Sequence, residues 1–335
     1  MAVVLAGTGH ALPDTVVPSA VVEAAAGKPV GWAMKRVGIR ERRACAPSER
    51  SWHLGTRAAR AALDDAGLSA ADVDLLLVHS SIPELHYPDI AWYVARDLGT
   101  PPSATVMGLR AACTGFLAGL RTAEQFLLGG GARCALVVCA ERMHAPMRGY
   151  PTAAVLFGDG AGAAVLRRGA RGGLRSIVLG QRADKADRCV GANATLPRAG
   201  WPDAAAELPG AWPDGPPPGG AVSFWEGRDI FQHAVLCMGE ATEQALSAAS
   251  LSTGDVDHFL FHQANAKILK SLVRNFSLPA ERTRTNIETV GNISSATVPV
   301  LLDAGRRSGD ISPGDVVLLG AFGAGYTYGA AVLEV

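Results

Sequence analysis

Short apolar runs alternate along the chain with longer stretches in which apolar residues recur at helical spacing. The runs predict strands over 75–79, 135–139, 162–166, 258–262 and 316–319. The periodic stretches predict helices over 53–66, 89–98, 115–128, 230–249 and 266–275. This alternation predicts an α/β protein with buried sheets. Residues 1–6 read as a first strand. They lack a basic start and soon meet Gly7, Gly9 and Pro13, which is not the pattern of a signal peptide. No apolar run approaches the ~18 residues needed to span a bilayer.

The chain also repeats itself. Leu68-Ser-Ala-Ala-Asp-Val-Asp-Leu-Leu-Leu-Val-His79 aligns with Leu251-Ser-Thr-Gly-Asp-Val-Asp-His-Phe-Leu-Phe-His262, and seven of the twelve positions are identical. Each copy follows a predicted helix and enters a predicted strand. The ends of the halves match too: Phe157-Gly-Asp-Gly-Ala-Gly-Ala-Ala-Val-Leu166 resembles Phe322-Gly-Ala-Gly-Tyr-Thr-Tyr-Gly-Ala-Ala-Val-Leu333. Two similar βα halves, 1–170 and 171–335, are therefore expected, joined by a linker at 169–173. Segment 197–220, rich in Pro, Gly and Trp, belongs to neither repeat and reads as a functional or a disordered loop.

Composition narrows the function. The 335 residues carry 31 Lys+Arg against 31 Asp+Glu, so no global basic excess points to nucleic acid. With 48% hydrophobic and 19% charged residues, this is not a disordered chain. Six cysteines occur without CxxC or Cys/His metal spacing. The expectation is a soluble cytoplasmic protein with reduced thiols and no metal. Cys134 and Cys139, in an apolar run, read as core.

Four features carry candidate chemistry. Cys113 lies in Gly108-Leu-Arg-Ala-Ala-Cys-Thr-Gly-Phe, small residues followed by an amphipathic helix. At a helix N-terminus the dipole lowers a thiol pKa and supports a nucleophilic thiolate; the alternative is a buried structural Cys. His262, in Phe261-His-Gln-Ala-Asn265, ends a strand and precedes a helix, where a side chain faces a crevice. His79 holds the equivalent place in the first half, so position alone does not assign catalysis. Asn292, in Val290-Gly-Asn-Ile-Ser-Ser-Ala-Thr297, reads as a site residue or as a turn or N-cap residue. The run Gly320-Ala-Phe-Gly-Ala-Gly325 is suited to aim backbone N–H groups at an oxyanion.

A Cys, a His and an Asn on corresponding βα loops of a duplicated chain resemble the ketoacyl-ACP synthase III family of the thiolase superfamily. The resemblance covers nearly the whole chain. Trp32-Ala-Met-Lys-Arg-Val-Gly-Ile-Arg-Glu-Arg-Arg43, Ala-Ala-Cys113-Thr-Gly-Phe, Phe157-Gly-Asp-Gly-Ala-Gly162, His262-Gln-Ala-Asn265 and Gly291-Asn292 match its motifs in order. The resemblance implies a thiolase-like fold with αβαβα layers. It implies that Cys113 takes an acyl group as a thioester, that the amides of Cys113 and Ala324 form an oxyanion hole, and that His262 and Asn292 donate to the second substrate's carbonyl. It places Trp32 and Arg36 at CoA adenine and phosphates, and Phe157 at the pantetheine tunnel. It also implies a homodimer in which Tyr87 reaches the neighbouring pocket. No cofactor is expected, since acyl-CoA or a phosphopantetheinyl acyl carrier enters as substrate. Lys267, Lys270 and Arg274, at spacings of three and four, share one helix face. That face suits an acidic acyl carrier protein or is simply solvated.

Departures from the family surround the substrate. Pro151 stands where an Arg helps clamp CoA, with Arg148 displaced nearby. Gly108 replaces an acidic residue. Trp225 stands near a usual Met beside the tunnel, Arg228 where a polar residue is common, and Ala324 where the C-terminal triplet has Gly. These point to a specialised polyketide- or antibiotic-type pathway. The favoured expectation is an acyltransferase that loads an acyl group from a carrier protein, or CoA, onto Cys113 and passes it to another acceptor with His262 as general base. The alternatives are a decarboxylative 3-oxoacyl synthase using malonyl carrier protein and a catalytically silent partner subunit.

Overall fold

The computed structural model describes residues 2–85, 87–147, 151–170, 172–193 and 221–335. Strands β1 (Ala2–Ala11), β2 (Leu75–His79), β3 (Thr105–Leu109), β4 (Cys134–Arg142) and β5 (Asp159–Gly169) form one sheet in the order β1-β5-β4-β2-β3. Strands β6 (Gly173–Gln181), β7 (His258–Phe261), β8 (Val316–Gly323) and β9 (Thr327–Glu334) form a second in the order β6-β9-β8-β7. The pairing repeats. In each sheet the first two pairs along this order are antiparallel and the third is parallel. β3 extends the first sheet by one more parallel pair. At that edge of the second sheet, among the described residues, a single parallel bridge joins Phe259 to Thr283.

Six helices cover these sheets: α1 (Ser51–Asp65), α2 (Ile90–Leu98), α3 (Gly115–Leu128), α4 (Gly227–Ala248), α5 (Ala266–Asn275) and α6 (Thr297–Arg307). Helices α1 and α2 bury Leu54, Leu63, Ile90 and Val94 against one face of the first sheet. Helices α4 and α5 bury Met238, Leu246, Ile268 and Leu272 against the outer face of the second. Between the sheets lie α3 and α6. Leu77 of β2, Phe116 of α3, Leu302 of α6 and Leu319 of β8 belong to one buried cluster. The result is five layers in the order αβαβα, a thiolase-type α/β fold. Buried on both faces, β2, β4 and β8 need no polar alternation, which is why they read as continuous apolar runs.

Every predicted strand and helix has a counterpart, with moved ends. The strand expected over 258–262 stops at Phe261, so His262 is the first loop residue. The helix expected from 230 begins at Gly227, and the strand expected over 135–139 runs from Cys134 to Arg142. The sheet boundary falls between Gly169 and Gly173; the central helices pack in a cluster drawn from both halves, and each half also buries a cluster of its own under its outer helices. Segment 197–220 lies outside the described residues. Its flanks, Cys189–Asn193 and Ala221–Trp225, pair as an antiparallel ribbon.

Candidate active site

The nucleophile candidate is set by a sharp strand-to-helix turn. After β3 the chain makes a short 3-10 turn, Ala112–Thr114, and enters α3 at Gly115. Ala112 has φ +46°, a left-handed conformation that costs a β-carbon residue of order 1–3 kcal/mol and is characteristic of sites that over-determine their backbone. Cys113 thereby lies beside the end of β8. A β-carbon added to Gly323 would lie 2.7 Å from the Cys113 backbone nitrogen, so only glycine permits this approach. The loop run singled out in the sequence thus borders the nucleophile turn, with Gly323 and Ala324 on the wall of the same cavity as Cys113.

That cavity has a volume of about 280 Å³, and Cys113, His262 and Asn292 all line it. Phe157, Met143, Met147 and Phe322 supply apolar wall. His262 follows β7 and is held by its own N–H, which donates to Gly320 O at 2.7 Å. Asn292 follows Gly291, whose φ is +75°. Its backbone N–H donates to Leu156 O at 2.9 Å, and its carbonyl accepts from Gly158 N at 3.0 Å. The side-chain Oδ1 accepts the Ser294 N–H at 2.8 Å. With that oxygen committed, the NH2 end is the one left to donate. Three residues distant in sequence are thus brought into one pocket.

Electrostatics departs from the sequence expectation. The Cys113 thiol lines the cavity, and desolvation by burial pushes it up to about 12; a hydrogen bond from Ser294 pulls the other way. The helix N-terminus therefore does not leave a resting thiolate, as the sequence had suggested. Burial likewise lowers His262 to about 4, against opposing pulls from a Ser294 backbone contact and from Glu141. Its Nδ1 has no hydrogen-bond partner. At neutral pH His262 is uncharged and Cys113 is a thiol.

Sequence reasoning missed the group behind the nucleophile. Glu141, at the end of β4, is fully buried. It accepts from Ser81 N at 2.9 Å and Ser81 Oγ at 2.8 Å, and from Ser295 Oγ at 2.5 Å and Ser295 N at 3.3 Å. Burial alone would raise its pKa; the nearby His79 ring and the serine donors around it outweigh that and hold it below the usual value. His79 Nε2 accepts the Ala111 N–H at 2.9 Å, so the ring proton is on Nδ1, 3.6 Å from Glu141 Oε1. At that distance the contact is electrostatic rather than a hydrogen bond. The available signal was an acid closing the otherwise apolar run Cys134-Ala-Leu-Val-Val-Cys-Ala-Glu141.

Other predicted residues lie outside this pocket. Trp32, half-buried in the short helix Trp32–Val37, carries the Lys28 ammonium 5.6 Å from its ring. Arg36 of the same helix is exposed. The turn after that helix meets the start of α5, since a β-carbon on Gly38 would lie 2.5 Å from Ala266 Cβ. Lys267, Lys270 and Arg274 are all exposed on α5, and among the described residues none of them forms an ion pair. Arg228 is exposed in the first turn of α4 and, like Trp32 and Arg36, lies outside the cavity wall. Ile230, two residues on, does line it. Tyr87 is 93% exposed and does not line the cavity. The side chains of Trp225 and Pro151, and residue Arg148, lie outside the described residues. Gly108 has a packing reason: a β-carbon there would lie 2.4 Å from Asp89 Cγ, and Asp89 caps α2 by accepting the Ala91 N–H.

Among the described residues no cluster of His, Cys, Asp and Glu is arranged to hold a metal ion, and no helix is long and apolar enough to cross a membrane. Comparison with known proteins gives consistent results. Residues 107–183 match the family model of 3-oxoacyl-(acyl-carrier-protein) synthase III, and residues 246–335 match the model of its C-terminal part. A β-ketoacyl-(acyl-carrier-protein) synthase III of Thioalkalivibrio sulfidiphilus is 33% identical over 331 residues, which is 98% of either chain. The crystal structure of 3-oxoacyl-(acyl carrier protein) synthase III from Pseudomonas aeruginosa superposes with a TM-score of 0.87 at 31% identity, covering 100% of this chain and 98% of that one. The priming β-ketosynthase from a polyketide biosynthetic pathway superposes with a TM-score of 0.88 at 31% identity, covering 99% of this chain and 96% of that one.

Proposed function

The chain belongs to the 3-oxoacyl-(acyl-carrier-protein) synthase III family of the thiolase superfamily, and on that premise we propose a decarboxylative condensation. Cys113 takes an acyl group from a thioester donor, with the Cys113 and Ala324 amides receiving the oxyanion. A malonyl thioester then enters. The neutral His262 ring and the NH2 of Asn292 donate to its carbonyl as CO2 leaves, and the carbanion attacks the acyl carbon to give a 3-oxoacyl product.

The observation that carries this reading over direct acyl transfer is the state of His262. Transfer to a hydroxyl or thiol acceptor asks this ring to accept a proton. A group titrating near 4 resists that at pH 7 by about 4 kcal/mol. Condensation asks only that it donate, which a neutral imidazole does. The intact Cys, His and Asn set argues against a silent partner subunit.

Direct transfer from a carrier protein is the second reading. Pro151 favours it by removing a CoA phosphate contact. The likeness to a polyketide-priming enzyme supports a place in a specialised pathway under either reading. In both, an acyl carrier protein docks on Lys267, Lys270 and Arg274, while Trp32 and Arg36 flank the entrance. The test is to supply acyl donor and malonyl carrier protein and follow CO2 and product mass. Stoichiometric CO2 with a 3-oxoacyl product supports condensation. Acyl transfer to a second acceptor without CO2 refutes it.

A further inference from the structure

Beside the nucleophile, polar side chains from four separate segments meet in a line: Cys113, Ser294 and Ser81 border the cavity, and Glu141 is fully buried behind them. Ser294 Oγ lies 3.4 Å from Cys113 Sγ. Ser81 Oγ lies 2.8 Å from Ser294 Oγ, and Ser81 in turn donates to Glu141 Oε1 at 2.8 Å. Ser294 itself has φ +49°, a left-handed conformation that a β-carbon residue adopts at a cost. We propose that Ser294, Ser81 and Glu141 form a proton relay, which takes the Cys113 thiol hydrogen as its sulfur attacks an electrophile and then gives it up, restoring the Glu141 carboxylate. The proposal rests on the reading of Cys113 as the acyl carrier.

The hydrogen-bond directions follow from the donor inventory. Ionised Glu141 only accepts, so the Ser81 hydrogen is spent on it. The Ser294 hydroxyl has two acceptors in reach, Cys113 Sγ at 3.4 Å, to which it donates at rest, and Ser81 Oγ at 2.8 Å; turned to Ser81, it leaves its own oxygen free to take the thiol hydrogen. One concerted shift reverses every bond: Cys113 loses its proton to Ser294, Ser294 to Ser81, and Ser81 to Glu141. Ser294 now donates to sulfur. The His79 and Ser295 contacts to Glu141 stay in place throughout.

Neither Glu141 nor His262 is a strong base at rest. What favours the carboxylate is charge conservation. A proton passed from Cys113 to His262 would create two opposite charges in a desolvated pocket. Passed to Glu141, it moves one negative charge from the carboxylate to the substrate oxygen, where the amides receive it. Moving a charge in a low dielectric costs far less than separating a new pair. The proton leaves as the S–C bond forms, because sulfur turns acidic once its electron pair goes to carbon. In acylation, the Cys113 S–C bond forms, the donor's C–S bond breaks, and the thiol proton held by the relay passes to the departing thiolate, so that Glu141 is a carboxylate again in the acyl-enzyme. In condensation, malonyl loses CO2 and its carbanion forms the new C–C bond. The C–S bond to Cys113 then breaks, and the leaving Cys113 thiolate takes its proton from water.

The experiment uses Ser81→Ala, Ser81→Thr, Ser294→Ala and Glu141→Gln with two probes. Acetyl-CoA reports acylation, and iodoacetamide reports alkylation of Cys113 by peptide mass mapping without any acyl donor. General-base assistance is typically worth 10²- to 10⁴-fold, so both alanine variants and Glu141→Gln should slow both probes by about 10²-fold or more. Ser81→Thr, which keeps the hydroxyl, should recover most of the rate. Wild type should show a solvent deuterium effect on acylation that Ser81→Ala lacks. If Ser81→Ala and Ser81→Thr are slowed alike, the effect is packing and the relay is wrong; equal rates in all variants also overturn it. Should Glu141→Gln fail to fold, the Ser81 pair decides. If acetyl-CoA never acylates the wild type while iodoacetamide still separates the Ser81 pair, the acyl-carrier reading fails and the relay stands.

Discussion

Replacing Gly323 by alanine tests whether the approach of β8 to the nucleophile turn creates the catalytic geometry. The new methyl would lie 2.7 Å from the Cys113 nitrogen, 3.1 Å from Ala112 Cβ and 3.3 Å from Cys113 Cα. All three are backbone or near-backbone atoms, so no rotamer change relieves the clash. The strand end and the turn must separate by several tenths of an ångström. Overpacking of this kind costs about 1–3 kcal/mol, which a fold of this size absorbs. The same shift moves the Ala324 amide relative to the Cys113 amide, and the methyl covers the Cys113 N–H. Losing one oxyanion donor typically lowers the rate by about 10²- to 10³-fold. The assay pairs a urea melt with the rate of Cys113 acylation followed by intact mass. The expected result is a folded protein, modestly destabilised, whose acylation falls by about two orders of magnitude. Acylation within about threefold of wild type, with the melt unchanged, would refute the oxyanion assignment and the reading of the Gly320–Gly325 run behind it.

Cys113→Ala should abolish the covalent acyl adduct in intact-mass spectra; an adduct on another cysteine of the wild type would contradict the nucleophile. His262 should make folding acid-sensitive. Its folded pKa of about 4 lies below the unfolded 6.5, so the unfolded state binds the extra proton and stability drops as pH falls through that window. Between pH 7 and 5 the wild type should lose about 2 kcal/mol more than His262→Ala in urea melts, and parallel losses would refute the buried neutral ring. Lys267→Glu with Arg274→Glu should slow acylation by acyl carrier protein and leave acyl-CoA untouched, and carrier protein should be the faster donor. An Arg–phosphate hydrogen bond, which Pro151 cannot make, is worth ~1.5–3 kcal/mol, roughly ten- to hundredfold in affinity; equal donor rates with no effect of the double substitution would dismiss both ideas. A Tyr87 this exposed should be covered by a second copy of the chain, and light scattering at micromolar concentration should give a dimer; a monomer would count against it.

Much of this protein was legible in its residues, because the deciding interactions were local or repeated. Apolar runs such as 75–79 and 316–319 declare strands buried on both faces. The matched segments ending at His79 and His262 declare two similar halves, and small residues before Cys113 declare a tight turn into a helix. What the sequence could not decide were properties set by burial and by distant neighbours. The Cys113 thiol was expected to be lowered by its helix, yet desolvation dominates, because the cavity walls come from both halves. Under the acyl-transfer reading His262 was expected to act as a base, yet the same burial lowers it to about 4 and weakens it in that role. At the start of α4 the sequence singled out Arg228, which is exposed, but not Ile230, which lines the cavity. The line from Cys113 through Ser294 and Ser81 to Glu141 joins four stretches of chain, and no local pattern marks it. Periodicity reports which face of an element is covered. Which buried acid meets which serine, and at what protonation state, depends on the tertiary packing that excludes water from all of them together.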